Sequence, residues 1–276
     1  MLGRFGTGGF HARRRAALVD PLTSRTSVRV VYTLRALRRA IADHRLGRVL
    51  EIAVADDIQI SPNDPVVIPE LERPLIIRCL GQSAFMGPVN DQTATLFQLN
   101  GCPEGAELIL EAINAGRRVS STETTWFQLC VDIVAGSNAP RILGGNWGAP
   151  NQTILQDGYA GGGSGPGSVS DAWIDGANLA GAIDCRMDRS AIVNNNTSGG
   201  VDIDLRSASD NNVIAHNRRI TGIDLHGGGH NIISHNIGRG TGTIDTTAGS
   251  GNTVDHNRRF TYSLGGGGTD VATGNV

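Results

Sequence analysis

The sequence predicts an all-β fold of the parallel β-helix class, a solenoid of stacked short strands, and three observations predict it. From Ala182 onward the chain aligns with itself as AIDCRMDRSAIVNNN, DIDLRSASDNNVIAHN, GIDLHGGGHNIISHN and TIDTTAGSGNTVDHN. Two landmarks hold register through all four segments. The aspartates of the Ile-Asp pair, Asp184, Asp204, Asp224 and Asp245, are 20, 20 and 21 residues apart. The closing asparagines, Asn196, Asn217, Asn236 and Asn257, are 21, 19 and 21 apart. A fixed period of this size marks units that bury their apolar face only by stacking on one another. The second observation is a series of short β-rich runs from Arg48 onward with no helical period between them. The third is composition. With 38 glycines in 276 residues and only 4% aromatics, the core must be filled by Ile, Val, Leu and Ala, which suits flat layers.

Taken in chain order, residues 1–27 are rich in Gly and Arg and show no periodic apolar face. They read as an arm, either simply flexible or ordering on a partner through Arg13, Arg14 and Arg15. Residues 31–46, VYTLRALRRAIADHRL, place Leu34, Leu37, Ala40 and Ile41 at three- and four-residue spacing with arginines between. That predicts one amphipathic helix with a basic outer face, closed by Gly47. The period then changes to two. RVLEIAV, DIQI, PVVI and LIIRCL are strands punctuated by Pro62, Pro65, Pro69, Pro74 and Gly81, and more follow at 96–99, 107–113, 126–134 and 141–143. Residues 158–170, GYAGGGSGPGSVS, are either a linker or a long excursion from one winding, and the strands that resume at once favour the excursion. Residues 28–276 therefore read as a single domain.

Within each repeat, alternation sends Ile203 and Leu205, and likewise Ile223 and Leu225, inward, and Asp202 and Asp204 outward. Inward residues stack on their equivalents about 4.8 Å above and below. An asparagine at each corner tolerates a turn conformation and can bond its neighbour in the next layer through its amide. The bends are supplied by Gly222, Gly227, Gly228 and Gly229.

Charge and cysteine usage exclude some functions. A net charge of −2 argues against nucleic acid as the main partner. No apolar run approaches a membrane span, and MLGRFGTGGFHARRRAAL does not read as a secretory signal. Cys79, Cys102, Cys130 and Cys185 form neither a CxxC nor a zinc-like cluster. They read as small reduced core residues, with one or two disulfides as the alternative.

The segments NVIAHN and NIISHN, with GIDL, resemble the repeats of the pectate-lyase superfamily of parallel β-helices. The likeness is close over 182–257, weaker over 31–145 and absent from 1–27. It implies a right-handed helix, and it implies that the helix at 31–46 is an N-terminal cap. The superfamily includes pectate lyases, polygalacturonases, epimerases and the trimeric tailspikes of bacteriophages, so fold alone does not choose a function.

The outward aspartates Asp184, Asp204, Asp224 and Asp245 should form an acidic stripe, with Arg186, Arg206 and His226 beside it. The plainest reading is a ladder of surface ion pairs. The sharper ones are sugar or cation binding, with Ca2+ as the ion, and catalysis by an acid and nucleophile pair, for which Asp204 and Asp224 are the candidates. Asn195, His216, His235 and His256 precede the corner asparagines. They read as a stacked polar edge, and no metal-ligand spacing accompanies them. Arg218-Arg219 and Arg258-Arg259 follow two corners, as solvated charge or as contacts to anionic sugar or a second subunit. Trp126, Trp147 and Trp173 are either sugar platforms or buried anchors.

The end of the ladder, FTYSLGGGGTDVATGNV, shows no capping helix, and an uncovered edge invites association. The leading expectation is a structural virion component: a small homotrimeric spike or fibre that meets particle proteins through its arm and a host glycan along its shaft. An extracellular polysaccharide lyase or glycoside hydrolase, and a carbohydrate-binding protein without turnover, are the alternatives.

Overall fold

The computed structural model describes residues 27–61, 64–81, 84, 86–88, 94–118, 124–125, 127–134, 137–138, 140–156, 169–197, 201–206, 209–265 and 271–275. The proposed arm therefore lies outside the described residues, as does the Gly-rich excursion up to 168. Val169 and Ser170, which the sequence reading places in that excursion, are a strand paired with Met187–Asp188.

Nearly every strand is parallel to its neighbours, in two large stacked sheets and one small one. Successive windings each add a strand to the first sheet: Val28–Val31, Glu51–Val54, Leu75–Cys79, Leu108–Glu111, Arg141–Leu143, Trp173–Asp175, Ala191–Val193, Val213–Ala215, Ile232–Ser234, Thr253–Asp255 and Val271–Thr273. Between these, the chain visits the second sheet, whose strands run from Val66–Ile68 to Arg258–Ser263. The small sheet joins Ser137–Asn138, Val169–Ser170 and Met187–Asp188. One antiparallel pair, Arg117–Arg118 with Thr124–Thr125, stands apart from this pattern. Stacked parallel sheets revisited in turn are compatible with a β-helix.

Register makes the core. In the first sheet Ile52, Ile77, Leu110, Ile142, Ile174, Ile192, Ile214, Ile233 and Val254 are successive partners, and all are buried. In the second, Val66, Phe97, Val131, Leu155, Ile183, Ile203, Ile223 and Ile244 form a matching buried column. Burying each such side chain contributes about 1.5–3 kcal/mol, and β-branched residues fit the pleated surface best. The two columns face one interior. The inward placement of Ile203, Leu205, Ile223 and Leu225 is as the alternation predicts.

The helix spans Leu34–Arg45 and begins later than its apolar spacing suggests, for two reasons. Val31 is held in a strand against Val54, and Thr33 ends the extended segment by accepting the Ala36 N–H at its side-chain oxygen. Leu37, Ala40, Ile41 and His44 are buried against the first strands of both large sheets. Gly47 follows with a positive φ and donates to the His44 carbonyl.

Asparagines hold the corners, in three ladders rather than one. The buried ladder at the bend from the first sheet to the second is Asn195, Asn217, Asn236, Asn257 and Asn275. From Asn217 onward each Oδ1 accepts the backbone N–H and the side-chain amide of the asparagine one winding earlier, at 2.9–3.4 Å, and the Oδ1 of Asn195 accepts the Ala177 N–H. Each Nδ2 also reaches a carbonyl of the first sheet, Ile192 in the case of Asn217. Asn196 is not in this ladder. The sequence reading is one residue out there, because three asparagines stand in a row and the first, Asn194, takes the positive-φ place that His216, His235 and His256 occupy in later windings. Asn196 instead extends an outer ladder from Asn114 through Asn146 and Asn178. A third ladder, Asn212, Asn231 and Asn252, lies buried at another bend.

These bonds also measure the windings. Asn114, Asn146 and Asn178 are 32 residues apart, whereas later steps are 18, 22, 19, 21 and 18. The period of about twenty belongs to the later windings, and earlier ones carry additional chain between the same strands.

Asn217→Ala removes a group that satisfies donors and acceptors in two neighbouring windings. Stranding those buried polar groups should cost roughly 2–4 kcal/mol, whereas Asn196→Ala, on the exposed ladder, should stay within about 0.5 kcal/mol. Urea unfolding midpoints of the two variants check this, and equal small shifts would mean that the buried ladder is not a principal support.

Candidate functional site

The four predicted aspartates are brought together. Asp184, Asp204, Asp224 and Asp245 are consecutive backbone partners in the second sheet, one winding apart and directed outward, each following an inward isoleucine and preceding an inward Cys185, Leu205, Leu225 or Thr246. The column is longer than the repeat shows: the same register carries Gln98, Asp132 and Gln156 before Asp184 and Ser263 after Asp245. Sequence reasoning missed these because the windings there are longer and their spacing hides the equivalence.

Stacked carboxylates repel, and the chain answers with cations set one winding further on. Arg206 follows its strand and reaches back to Asp184, with Nε and Nη2 each donating at 2.6 Å to a different carboxylate oxygen. This bidentate fork is the strongest geometry available to such a pair. His226 takes the equivalent place in the next winding. Its Nε2 stands 2.8 Å from Asp204 Oδ1 and 3.6 Å from Asp224 Oδ2, within ion-pair range although Oδ1 lies off the line of a hydrogen bond. Asp245 accepts from the Thr247 N–H and hydroxyl instead. Arg186 stands exposed one winding before Arg206 on the same edge.

Burial pushes the Asp204 carboxyl above the usual carboxylate range. His226 opposes that shift, and Asp184 and Asp224 add to it. Asp224 is raised in the same way, by burial first, with Asp245 adding and His226 opposing. Two neighbouring carboxyls that hold protons more readily than usual, with an imidazole between them, make an arrangement able to move a proton or to meet a hydroxyl-rich ligand.

A second cluster lies at the other end of these strands. His216, His235 and His256 stack with ring centroids 4.9 and 5.2 Å apart. Beside them run Arg218, Ile237 and Arg258, backbone partners in consecutive windings. Asp255 pairs with His256 Nδ1 at 2.5 Å and accepts from Thr273 at 2.7 Å, which holds its carboxyl below the usual range. No group of three or more His, Cys, Asp or Glu side chains suited to a metal ion occurs among the described residues.

The other candidates divide. Trp147 is a core residue whose Nε1 donates to the Gly144 carbonyl at 3.0 Å. Trp173 is half-buried on the outer face of the first sheet, packed with Ala191, Val193, Val213 and Ala215 in a cluster separate from the main core. Trp126 lies outside the described residues. All four cysteines are buried and unbridged. Burial raises the thiol of Cys102 to about 11, and Cys79 and Cys130 are raised for the same reason, so these are poor nucleophiles. No helix among the described residues is long and apolar enough to cross a membrane.

Compared with known proteins, the chain matches no family model, no curated sequence and no solved structure.

The raised carboxyls make a pH prediction whose sign is unusual for aspartate. A group whose folded value lies above its unfolded one binds protons better in the native state, so its contribution to stability declines as pH rises from about 3.8 through the folded value. Asp204→Asn should therefore melt above the parent at pH 7, and the difference should shrink toward pH 4. Thermal melts at both values check it, and a variant that loses more stability at pH 7 than at pH 4 contradicts the assignment.

Proposed function

We propose that the stacked sheets form a right-handed parallel β-helix of the pectate-lyase kind, and that it is a structural shaft, a small trimeric spike or fibre of a phage or phage-like particle. The observation that carries this reading is the way the surface charge is used. Asp184 is clamped by Arg206, and Asp204 is paired with His226, so at these two steps the acidic stripe ties one winding to the next. Carboxylates committed to such ties reinforce a rod. The unbroken core columns support the same reading, since a rod needs every winding to repeat the packing of the last.

Self-association has support on the outer face of the first sheet. Trp173, Ala191, Val213 and Ile232 share one column there, and Ile232 is 44% exposed. An outward apolar column of this kind suits contact between identical subunits. The particle itself comes from the resemblance to tailspikes and from the arginines of the arm, with the arm as the docking element and a host glycan as the ligand of the shaft.

Asp204 and Asp224 favour a second reading, a lyase or hydrolase acting on acidic polysaccharide, because both hold protons above the usual range beside His226. Binding of polysaccharide without cleavage would instead make the chain a carbohydrate-binding protein.

Sedimentation of the full chain should give about three times its 29.0 kDa mass, and Ile232→Asp should shift it to the monomer without unfolding. A stable monomer at all concentrations overturns the trimer. Incubation with polygalacturonate, with and without calcium, should release no new reducing or unsaturated ends. Cleavage that Asp204→Ala and Asp224→Ala abolish would replace the shaft by the enzyme.

A further inference from the structure

Among the described residues the first sheet has Val28–Val31 as its outermost strand, paired on one side only, with Glu51–Val54. Alternate residues of a strand turn their N–H and C=O groups to opposite sides. Val31 turns its groups toward the next winding, where its carbonyl accepts the Ala55 N–H at 2.9 Å. Val28 and Val30 therefore turn theirs to the open side. The cap helix does not close this edge. It packs on the inner side of the strand, where Arg29 meets Asp43, and buries Leu37, Ala40, Ile41 and His44 over the interior.

Open edges are commonly guarded by an outward charge, a proline or a bulge. Here the strand reads VRVV, pairs without a break in register, and has its one charge tied to Asp43. Its outward side chains are apolar. Val28 is 45% exposed, Val30 43%, and Tyr32, just past the strand, 59%. Five of the eight large apolar side chains that stand exposed among the described residues lie between Val28 and Leu50, so exposed apolar surface is concentrated at this end. Beside it, the helix face opposite the buried one carries Arg35 and Arg39, one turn apart and exposed. Neither has an acidic partner among the described residues: Asp43 is taken by Arg29 and Arg48, Asp64 by Arg38, and the first turn of the helix holds no acid.

We propose that this end of the molecule receives an extended acidic segment of another protein as an added strand. The backbone groups of Val28 and Val30 supply the ladder bonds. Side chains alternate along the added strand, so one set lies against Val28, Val30 and Tyr32 and is apolar. The other set is turned toward the helix and is acidic, where Arg35 and Arg39 meet it. Strand addition of this kind takes affinity from main-chain bonds and specificity from the alternate side chains, and guanidinium groups favour carboxylates. A second copy of this chain fits less well, because pairing the two edges would bring arginines against arginines. Nucleic acid and an anionic membrane could meet the arginines, but neither offers a backbone to complete the ladder. The proposal stands apart from the shaft reading: it concerns the folded end rather than the arm or the aspartate column, and a monomer and a trimer would both present it.

Fluorescence anisotropy of a labelled peptide of alternating glutamate and valine, titrated with the full chain at low salt, tests it. The peptide should bind. The same peptide with lysine for glutamate should not, nor should one N-methylated at alternate residues, which cannot complete the ladder. Arg35→Gln combined with Arg39→Gln, both on the exposed helix face, should melt as the parent does and weaken binding roughly fivefold to tenfold. Val30→Asp should weaken it further by setting a charge where apolar contact is expected. Arg258→Gln, in a distant winding, should leave it unchanged. If the acidic peptide does not bind, if the N-methylated one binds equally well, or if the arginine and Val30 variants bind as the parent does, the assignment falls. It falls equally if single-stranded DNA or phosphatidylserine vesicles bind more tightly and are lost with the same arginines. A trimer that fails these titrations retains the shaft without this contact, and a monomer that passes them retains the contact without the trimer.

Discussion

Parallel pairing in strict register is the constraint on which everything else in this protein rests. Each strand must find its hydrogen-bonding partner in the winding before it, and a slip of one residue would turn isoleucines outward and aspartates inward along a whole sheet. The chain pins register in two ways at once. Aliphatic columns make the correct alignment the one that buries most apolar surface. Asparagine ladders make it the one in which buried corner amides are all satisfied, and a slipped amide at Asn217 or Asn236 would lose bonds to two windings together. Apolar packing alone tolerates substitution and some sliding. The directional amides are what make the stacking discrete.

The later windings were legible in the sequence because they repeat at nearly constant length. Ile203, Ile223 and Ile244 can be aligned by eye, and their inward placement follows from alternation. Earlier windings obey the same register, yet Gln98 and Asp132 are separated from their partners by additional chain, so no fixed period points to them. The misplacement of Asn196 has a different cause. Both Asn195 and Asn196 belong to ladders, one buried and one exposed, and only the third dimension distinguishes them. The ladder of Asn212, Asn231 and Asn252 did leave a signal, an Asn before each Val-Ile, Ile-Ile or Thr-Val strand, and it was hidden by the stronger signal of the closing asparagines. The strand at Val28–Val31 was obscured because a basic, apolar-spaced stretch beginning at Val31 reads as helix until Thr33 is recognised as its cap.

Charge on the surface follows the same layered logic. A column of identical residues is the simplest product of a repeat, and for isoleucine it is favourable. For aspartate it is costly, and the cost is met by placing a cation two residues past the aspartate of the following winding, as Arg206 and His226 are. The pairing is imperfect at Asp224, where the next winding supplies exposed Thr247, itself bonded to Asp245, in place of a cation. At the other end of the same strands the balance is partial: Asp255 pairs with His256, while Arg218 and Arg258 flank Ile237.

The shortening of the windings from 32 residues to about twenty has a mechanical consequence. Bonds between windings all point along one direction, so tension applied along that direction passes through every junction in series, and the molecule is only as strong as its most weakly joined pair. Sideways load is shared by the sheets in parallel and meets far greater stiffness. Force drawn from the last winding would therefore peel the chain away one turn at a time, each release leaving the preceding windings in place.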